Sequence, residues 1–425
     1  MKIAIIGSGI SGNVLAYHLY KEHDISVFEA NNYIGGHSHT HNIDVNGQQY
    51  KIDTGFIVFN GKTYPNFIAL LNELNVTSQQ STMSFSVKCE LSGLEYNGSN
   101  INTLFAQRSN LLKPSFYKML ADILRFNREA PDILNKPENI LSLGFYLKKN
   151  NYSQQFIDQY IIPMGSAIWS SSYDQMLDFP AQFFIRFFIN HGLLNIKNRP
   201  PWFVIKGGSN AYVKKLINGF QDKIRLNSPV KKVNRYENHV EIICENRLPE
   251  KFDYVFFACH SDEALAVLNN PKPFEENILS AFPYQKNDVV LHTDTTLLPK
   301  RKLAWASWNY HRLNNKDKPV ALTYNMNILQ GISCKETFCV TLNNSNAINE
   351  TKILKRLQYS HPLFTYRSIH AQSQHHRLNG TNRCFYAGAY WRYGFHEDGV
   401  VSALEALKHF KEKTGYEQQD LLRAS

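Results

Sequence analysis

The sequence predicts an α/β protein that contains a Rossmann-like nucleotide-binding unit and a second region of helices and strands. Its 425 residues exceed what a single hydrophobic core usually fills, so two connected domains or one large α/β enzyme are expected. The first thirty residues already describe a strand, a glycine-rich turn, a helix and a second strand. With 43% hydrophobic and 13% aromatic residues, the chain has ample apolar material for a folded core, which excludes disordered and collagen-like classes.

The first unit carries the residues that a dinucleotide requires. Gly7, Gly9 and Gly12, with Ser11 between them, follow a short apolar strand and open a helix, so that backbone N–H groups can approach a pyrophosphate. Glu29 ends the second strand, 17 residues after Gly12, where its carboxylate can accept hydrogen bonds from ribose hydroxyls. A carboxylate at this position disfavours NADP. The alternative is a glycine turn that binds no nucleotide.

The middle of the chain is mainly helical from Leu104 to Leu194. One helix is predicted from apolar residues at helical spacing, with charged residues on the opposite side. The apolar set is Phe116, Met119, Leu120, Ile123 and Leu124. The charged set is Lys113, Lys118, Asp122, Arg125 and Arg128. Such a basic side is usually a solvated face, and contact with anionic phospholipid is the alternative hypothesis.

A later helix in this block is unusually aromatic, with phenylalanines at positions 183, 184, 187 and 188. We expect these side chains to form core and to line a substrate tunnel. Insertion into a membrane face is the less favoured alternative.

Strand signals return in the second half of the chain. Val230 begins one predicted strand, and the residues from Phe252 to Cys259 predict a strand buried on both faces. Further strands are expected from Asp288 to Leu342. The last unit leads from Cys384 into a helix whose apolar face contains Val400, Ala403, Leu404 and Leu407.

Net charge and cysteine usage limit the partners and the compartment. A formal charge of +10 and a pI near 9.1 favour a polyanionic cofactor, acidic substrates or an anionic membrane surface. No Arg/Lys tract or nucleic-acid motif accompanies the charge, so nucleic acid is not an expected partner. Six scattered cysteines without a CxxC pair fit a reduced, cytoplasmic setting and predict no metal site. Neither a membrane span nor a cleavable signal is expected.

Two further glycine segments connect the chain with a known family. Gly35 and Gly36 follow Glu29, and Gly388 and Gly399 accompany the last helix. This arrangement resembles the flavin amine oxidase superfamily, which includes monoamine oxidases, protoporphyrinogen oxidases and phytoene-type desaturases. The segments DTGFIVFN, PMGSAIWS, LDFPAQFFIRFFINHGLL and GAYWRYGFHEDG are similar to a bacterial group of NAD/FAD-binding proteins within it, over nearly the whole chain.

The resemblance implies a specific cofactor and architecture. FAD is the expected cofactor, with Gly35 and Gly36 continuing the pyrophosphate site and the backbone of Val230 beside the adenine. Gly388, Glu397 and Gly399 are expected near the ribityl chain and the flavin pyrimidine. The family topology implies a discontinuous FAD-binding domain at 1–80, 205–265 and 375–425. The substrate domain of mixed sheet and helices then comprises 81–204 and 266–374, with its helical block at 104–196.

One position departs from the family pattern. The superfamily usually has arginine after the Gly-Gly pair, and this chain has His37. A neutral imidazole offers a hydrogen bond but no permanent charge, so backbone amides and the first helix dipole carry more of the pyrophosphate binding. FAD is therefore expected to bind less tightly.

Candidate catalytic residues follow from the chemistry of a flavin. Hydride transfer requires a protein that holds a C–H donor against the ring and excludes water. We expect Trp305 and Tyr390 on the wall opposite the flavin, with His396 as the candidate general base. The alternatives are core packing for the aromatic residues and a structural hydrogen bond for the histidine.

Three functions are compatible with the sequence. The first is an FAD-dependent oxidoreductase that takes hydride from a C–H bond of a hydrophobic substrate, desaturating or isomerising a fatty acyl chain. The second is an amine oxidase, and the third is a flavin-binding accessory subunit of a lipid-modifying system. The bacterial group is often encoded beside methyltransferases of the cyclopropane-fatty-acid-synthase type, which implies a lipid substrate and a methyltransferase partner. Peripheral contact with the inner face of the membrane is a further hypothesis.

Overall fold

The computed structural model describes residues 1–135, 141–314 and 321–415. The last ten positions of the predicted third FAD-domain segment lie outside these ranges. The strands are β1 Lys2–Ile6, β2 Asp24–Phe28, β3 Thr40–Val45, β4 Gln48–Asp53, β5 Val58–Asn60, β6 Ser78–Ser81, β7 Phe85–Cys89, β8 Glu95–Asn97, β9 Trp202–Ile205, β10 Ile224–Arg225, β11 Val230–Arg235, β12 Val240–Cys244, β13 Glu250–Phe252, β14 Tyr254–Phe257, β15 Tyr284–His292, β16 Trp308–Arg312, β17 Ala321–Asn325, β18 Cys339–Leu342, β19 Ile353–Pro362 and β20 Cys384–Tyr386.

Helices connect and cover these strands. They are α1 Ile10–Leu19, α2 Pro65–Glu73, α3 Ile101–Leu104, α4 Pro114–Glu129, α5 Leu143–Lys149, α6 Gln154–Phe156, α7 Ile162–Trp169, α8 Tyr173–Leu177, α9 Ala181–Asn190, α10 Asn210–Leu216, α11 Ser261–Val267, α12 Pro273–Leu279, α13 Met326–Leu329, α14 Tyr366–Gln372, α15 His375–Leu378 and α16 His396–Thr414. A π-helical turn at Ile157–Ile161 joins α6 to α7.

A parallel sheet of five strands forms the nucleotide-binding part of the fold. Its strand order is β10-β2-β1-β14-β20, and all four pairings are parallel. Helices α1, α10 and α16 bury their apolar residues on one face, whereas the β11-β12-β13 meander with α11 and α12 covers the other. Both faces are covered, as is typical of parallel sheets, and the predicted Rossmann-like α/β class is confirmed.

The parallel sheet collects strands from distant parts of the sequence. β1 and β2 come from the first segment predicted for the FAD domain, β10 and β14 from the second, and β20 from the third. The domain boundaries themselves stay a prediction.

A second sheet of seven strands lies beside the helical block. Its order is β19-β15-β18-β17-β16-β7-β8, in which β16 and β7 run parallel and the other neighbours antiparallel. Helices α4 to α9 and one face of this sheet share a single hydrophobic cluster. β19 and β8 are the outer strands, so residues next to them lie on opposite edges of the sheet.

The aromatic helix is α9. Phe184, Phe187 and Phe188 are buried in the large cluster, and Phe183 is partly buried against it. The prediction that these phenylalanines belong to the core is confirmed. No helix within 1–135, 141–314 or 321–415 combines the length and the apolar composition needed to cross a bilayer.

The predicted faces of α4 need a correction. The helix buries Phe116, Met119, Asp122 and Phe126, whereas Leu124 is 54% exposed. Asp122 lies inward because its carboxylate accepts the backbone N–H of Ser153 at 2.8 Å. The inward face is therefore rotated relative to the one that the apolar spacing predicted.

Candidate cofactor and active site

The first glycine turn is closely packed on one side and open on the other. Gly7 has a φ of +104°, and its N–H donates to the Phe28 carbonyl at 2.8 Å, which closes the turn onto β2. A Cβ atom at Gly12 would lie 1.9 Å from the Gly7 carbonyl oxygen, so only glycine fits there. A Cβ atom at Gly9 would meet no atom within 4 Å. The turn thus leaves free space at the N-terminus of α1, where helix N–H groups favour an anion.

Glu29 lies beside this turn and is buried. Its Oε2 accepts the backbone N–H of Ser8 at 2.9 Å and the Ser8 hydroxyl at 2.6 Å. Its Oε1 accepts the backbone N–H of Asn31 at 2.8 Å and the Asn31 side-chain amide at 2.9 Å. These four donors match the acceptor capacity of a carboxylate, so an incoming ribose has to displace a side-chain donor. On the other side, the Ser228 N–H donates to the Glu29 carbonyl at 2.8 Å, which brings the start of β11 and Val230 toward this end of β2.

The C-terminal helix meets the glycine turn directly. Ser11 Oγ donates to the Gly399 carbonyl at 2.9 Å, and a Cβ atom at Gly399 would lie 2.7 Å from a methyl carbon of Ile10. Gly388, which follows β20, is linked to the same helix because its N–H donates to Ser402 Oγ at 2.8 Å. The structure therefore brings Ser11, Gly388 and Gly399 together.

The Gly35-Gly36 loop lies on the same turn. The Gly35 N–H donates to the Ser8 carbonyl at 3.0 Å, and a Cβ atom at Gly36 would lie 3.1 Å from the Gly9 Cα. Both loop glycines have positive φ, +121° and +58°. This close approach of two backbones explains why positions 35 and 36 are both glycine.

His37 follows Gly36 and lies in a cluster of aromatic side chains that was not predicted from the sequence. Its ring centroid lies 5.0 Å from Tyr359, 5.5 Å from His361 and 6.4 Å from His260. Burial and the neighbouring imidazoles hold the pKa of His37 well below its usual value, and its Nε2 atom has no hydrogen-bond partner among the residues that the structure describes. A buried nitrogen without a partner, next to the open glycine turn, suits a phosphate oxygen.

The residues around His37 belong to separate elements, and for this reason their contacts with His37 were not predicted. His260 follows β14 at the carboxyl edge of the parallel sheet, where ligands of such folds bind, and that position was a usable signal. His361 and Tyr359 lie on β19 of the other sheet. Nothing in the local sequence of β19 indicates that contact.

His396 is the first residue of α16 and is enclosed by other side chains. It stacks on Phe56 with ring centroids 3.7 Å apart and an interplanar angle of 8°. Its Nε2 lies 2.7 Å from the Tyr212 hydroxyl, which in turn lies 2.5 Å from Ser38 Oγ. Burial lowers the pKa of His396 to about 3, so the imidazole is neutral and weakly basic. These contacts favour the structural alternative for this histidine over the general base.

Glu397 and Asp398 have separate roles at the start of α16. The Glu397 carboxylate accepts the backbone N–H groups of Asn66 and Phe67 at 3.0 and 2.8 Å, and the Asn66 side-chain amide at 2.8 Å. It therefore caps the N-terminus of α2 from 330 residues away. Asp398 accepts the Phe395 N–H at 2.8 Å and lies 3.7 Å from Arg392, and burial raises its pKa to about 7.

A cavity of about 160 Å³ opens next to these acids. It is lined by Lys62, Thr63, Tyr64, Asn190, His191, Arg392, Tyr393, Phe395, Glu397 and Asp398. Two of these residues, Tyr393 and Phe395, also belong to an aromatic wall with side chains of α9. Phe183 lies 4.6 Å from Tyr393, and Phe187 lies 5.0 Å from Phe395, measured between ring centroids. The cavity lining thus contains both charged and aromatic side chains.

The structure places Trp305 away from this cavity, whereas the ring of Tyr390 lies against Gly388. Tyr390 packs 5.0 Å from Phe282 in the cluster that covers the opposite face of the parallel sheet. The carbonyl of Trp305 accepts from Asn97 of β8 at 2.8 Å, so Trp305 lies at the far edge of the seven-stranded sheet from β19. Six strand spacings separate those edges, roughly 29 Å. Tyr390 is buried in this cluster, whereas Trp305 is half-buried and its ring N–H donates to the Pro299 carbonyl at 2.9 Å.

The residues around the glycine turn fit FAD. The free N-terminus of α1, the space at Gly9 and the His37 nitrogen suit a pyrophosphate. Glu29 directly follows β2, the position at which folds of this type bind a ribose. The first turn of α16 provides a second set of backbone N–H groups, which lies next to the N-terminus of α1.

Comparison with known proteins agrees with this geometry. A family profile described as flavin containing amine oxidoreductase matches residues 10–317. No curated protein sequence gives a significant match to the chain. Cyclohexylamine oxidase from Brevibacterium oxydans IH-35A has a similar fold, with a TM-score of 0.70 and 14% identity over 98% of this chain and 99% of that one. The CLA-producing fatty acid isomerase from P. acnes superposes with a TM-score of 0.67 and 13% identity, over 96% of this chain and 98% of that one. Putrescine oxidase gives 0.66 and 13%, over 96% and 99%.

Proposed function

The chain belongs to the flavin-containing amine oxidoreductase family, and from this membership we propose that it removes hydride from a C–H bond of a hydrophobic substrate, desaturating or isomerising a fatty acyl chain. The family makes it an FAD-dependent oxidoreductase. When bound, FAD supplies the redox chemistry by accepting a hydride from the substrate.

The residues of this chain hold and orient the reactants. The first turns of α1 and α16, Gly36 and His37 would bind the pyrophosphate, and Glu29 would bind the ribose after Ser8 Oγ or the Asn31 side chain gives way. His396 positions Phe56 and Tyr212 through stacking and a hydrogen bond, which keeps the loop after β4 against α10.

The aromatic wall supports a hydrophobic substrate. Phe183 contacts both Tyr393 and Phe364, and the wall continues through Phe187 to Phe395 at the cavity. Rings packed in this way exclude water from the reacting carbon and offer an apolar surface to an alkyl chain. This wall is the observation that carries the choice of a lipid-like substrate. The fatty acid isomerase among the structural neighbours agrees with it.

An amine is the second candidate because two buried acids line the same cavity. Glu397 and Asp398 are lining residues, as are Lys62 and Arg392, and an ionised carboxylate there would attract a cationic amine. Two structural neighbours act on amines, cyclohexylamine oxidase and putrescine oxidase.

Anaerobic mixing distinguishes these functions. The FAD-loaded protein is mixed with unsaturated and saturated fatty acids and, separately, with primary amines, and the flavin absorbance is followed. Bleaching by a fatty acid supports the proposal, and bleaching by amines alone assigns the second candidate. Because isomerisation returns the hydride and leaves the flavin oxidised, the fatty acids are also recovered and analysed for a moved double bond. A flavin band that persists with every donor, together with unchanged fatty acids, contradicts both functions and favours an accessory role beside a lipid-modifying methyltransferase.

A further inference from the structure

Exposed apolar side chains are concentrated on one part of the helical block. Of the fourteen large apolar side chains that are exposed among the described residues, five lie between positions 101 and 124. They are Ile101 at 78%, Leu111 at 48%, Leu112 at 88%, Tyr117 at 47% and Leu124 at 54% exposed. They belong to α3, to the 3₁₀ turn Arg108–Leu112 and to the outward face of α4. We refer to these five residues as the apolar ridge.

The ridge is one continuous structure. The Tyr117 hydroxyl donates to the Leu111 carbonyl at 3.0 Å, which ties the 3₁₀ turn to the first turn of α4. The Arg108 guanidinium donates to the Asn102 and Phe105 carbonyls at 3.3 and 3.0 Å, which ties the same turn to α3. The exposed leucines therefore project from an ordered surface.

The charge around the ridge is positive. From 96 to 128 the sequence contains five cations, Arg108, Lys113, Lys118, Arg125 and Arg128, and one acid, Asp122. Asp122 is buried, where it accepts from Ser153 and pairs with Arg125 at 3.1 Å. Arg128 pairs with the exposed Glu129 at the end of α4. No ion pair within the described part of the chain involves Lys113 or Lys118, and both flank the exposed leucines and Tyr117.

We propose that the apolar ridge and its flanking cations form a surface that docks peripherally on an anionic lipid bilayer. Leucine and tyrosine side chains next to lysine and arginine are the combination that enters the boundary between lipid headgroups and acyl chains. Each cation near an anionic surface adds attraction. A second copy of the chain is the less suitable partner because an isologous contact through this ridge would bring like charges together.

The location of the ridge relates it to the proposed substrate. α4 belongs to the same hydrophobic cluster as α9, which carries Phe183 and Phe187 of the aromatic wall. A bilayer bound at the ridge would lie against the helical block that contributes this wall. The docking surface is nevertheless independent of the bond that is oxidised, and its test needs no turnover.

Vesicle sedimentation of the FAD-loaded protein tests the proposal. The vesicles are phosphatidylcholine alone or phosphatidylcholine with about one third phosphatidylglycerol. We expect binding to the anionic vesicles, weakening as salt is added, and little binding to the neutral ones. The double variant Lys113→Gln/Lys118→Gln should bind roughly 25-fold more weakly, about fivefold for each lost charge. The double variant Leu111→Ser/Leu112→Ser should bind at least about tenfold more weakly.

Matched controls show whether vesicle binding depends on the ridge itself or on any exposed leucine or lysine. Leu248 is 86% exposed in the turn after β12, and Lys214 is exposed on α10. Leu248→Ser and Lys214→Gln should leave vesicle binding unchanged, and the flavin spectrum of every variant should match that of the parent. Equal binding to neutral and anionic vesicles, equal losses in the control variants, or lipid-independent self-association that Leu111→Ser/Leu112→Ser abolishes would each overturn the proposal.

Discussion

Ser11 and Gly399, 388 positions apart in the sequence, are joined by a hydrogen bond of 2.9 Å from the serine hydroxyl to the glycine carbonyl. The bond holds the first turns of α1 and α16 side by side. Because the N-terminus of a helix carries partial positive charge, two such ends in contact make a strong site for an anionic cofactor. Two segments that are distant in the sequence therefore lie side by side at the site proposed for FAD.

Substitution of Gly9 separates cofactor binding from folding. A methyl group at this position meets no atom within 4 Å, so Gly9→Ala should leave the melting temperature of the FAD-free protein unchanged. The same methyl group occupies the space available for pyrophosphate, and we expect FAD to bind at least about tenfold more weakly by fluorescence titration. Gly61→Ala is the matched control because a Cβ atom there also meets nothing within 4 Å. An unchanged FAD affinity in Gly9→Ala would show that the pyrophosphate binds elsewhere.

The pH dependence of FAD binding tests the role of His37. The imidazole is neutral because burial and four neighbouring histidines, at positions 361, 260, 396 and 39, lower its pKa. A bound pyrophosphate would raise that pKa, so binding takes up a proton and FAD affinity should increase as the pH falls below the ordinary histidine value of 6.5.

Arginine in place of His37 should remove the pH dependence of FAD binding. His37→Arg should bind FAD about tenfold more tightly above neutral pH, because a charged hydrogen bond contributes roughly 1.4 kcal/mol more than a neutral one. His376→Arg on the exposed side of α15 adds the same charge away from the site and should change nothing. Isothermal titration in buffers of different protonation enthalpy measures both the affinity and the proton uptake. Tighter binding at high pH in the parent protein would contradict this assignment.

Glu397 should contribute to stability through its cap on α2. Glu397→Ala leaves the N–H groups of Asn66 and Phe67 without acceptors, and we expect a loss of about 1–3 kcal/mol in the free energy of unfolding. Glu397→Gln keeps one acceptor oxygen and should recover part of that loss. Glu412 lies exposed on the same helix, so Glu412→Ala is the control. A melting temperature equally unaffected in all three variants would rule out the cap.

Asp398 should make the folded state less stable as the pH rises. Its pKa is about 7 in the folded protein against an ordinary value of 3.8, so the folded state binds more protons between these values. Stability contributed by this group is complete below the lower value and is lost as the pH rises toward 7. Histidines with lowered pKa, such as His396, act in the opposite direction over part of this range.

Comparison with Asp398→Asn isolates this contribution. Denaturant titrations at several pH values should show the variant becoming more stable relative to the parent as the pH increases through this window. If the difference in the free energy of unfolding between variant and parent does not change with pH, the Asp398 carboxylate ionises normally.

The sequence predicted the parts of this site that are local in the chain. The unit from β1 through Glu29 is encoded by thirty consecutive residues, and its glycines have direct steric reasons. The contacts of His37 with His361 and of Glu397 with α2 depend on how distant elements pack, and no periodicity in the sequence reports that packing.

The positions of Trp305 and Leu124 in the structure have the same physical explanation. Trp305 and Leu124 were placed by residue type and by helical spacing. The strand order of the large sheet puts Trp305 beside β8, and the contact between Asp122 and Ser153 turns Leu124 to the surface.

The central claim is that one FAD molecule binds where the glycine turn after β1 meets the first turn of α16. The most direct test is the absorbance spectrum of the purified protein, followed by mass analysis of the ligand released on denaturation. We predict a yellow protein that releases one equivalent of FAD, and a smaller amount of FAD per chain from Gly9→Ala purified in the same way. A colourless protein that releases a nicotinamide dinucleotide would contradict the account.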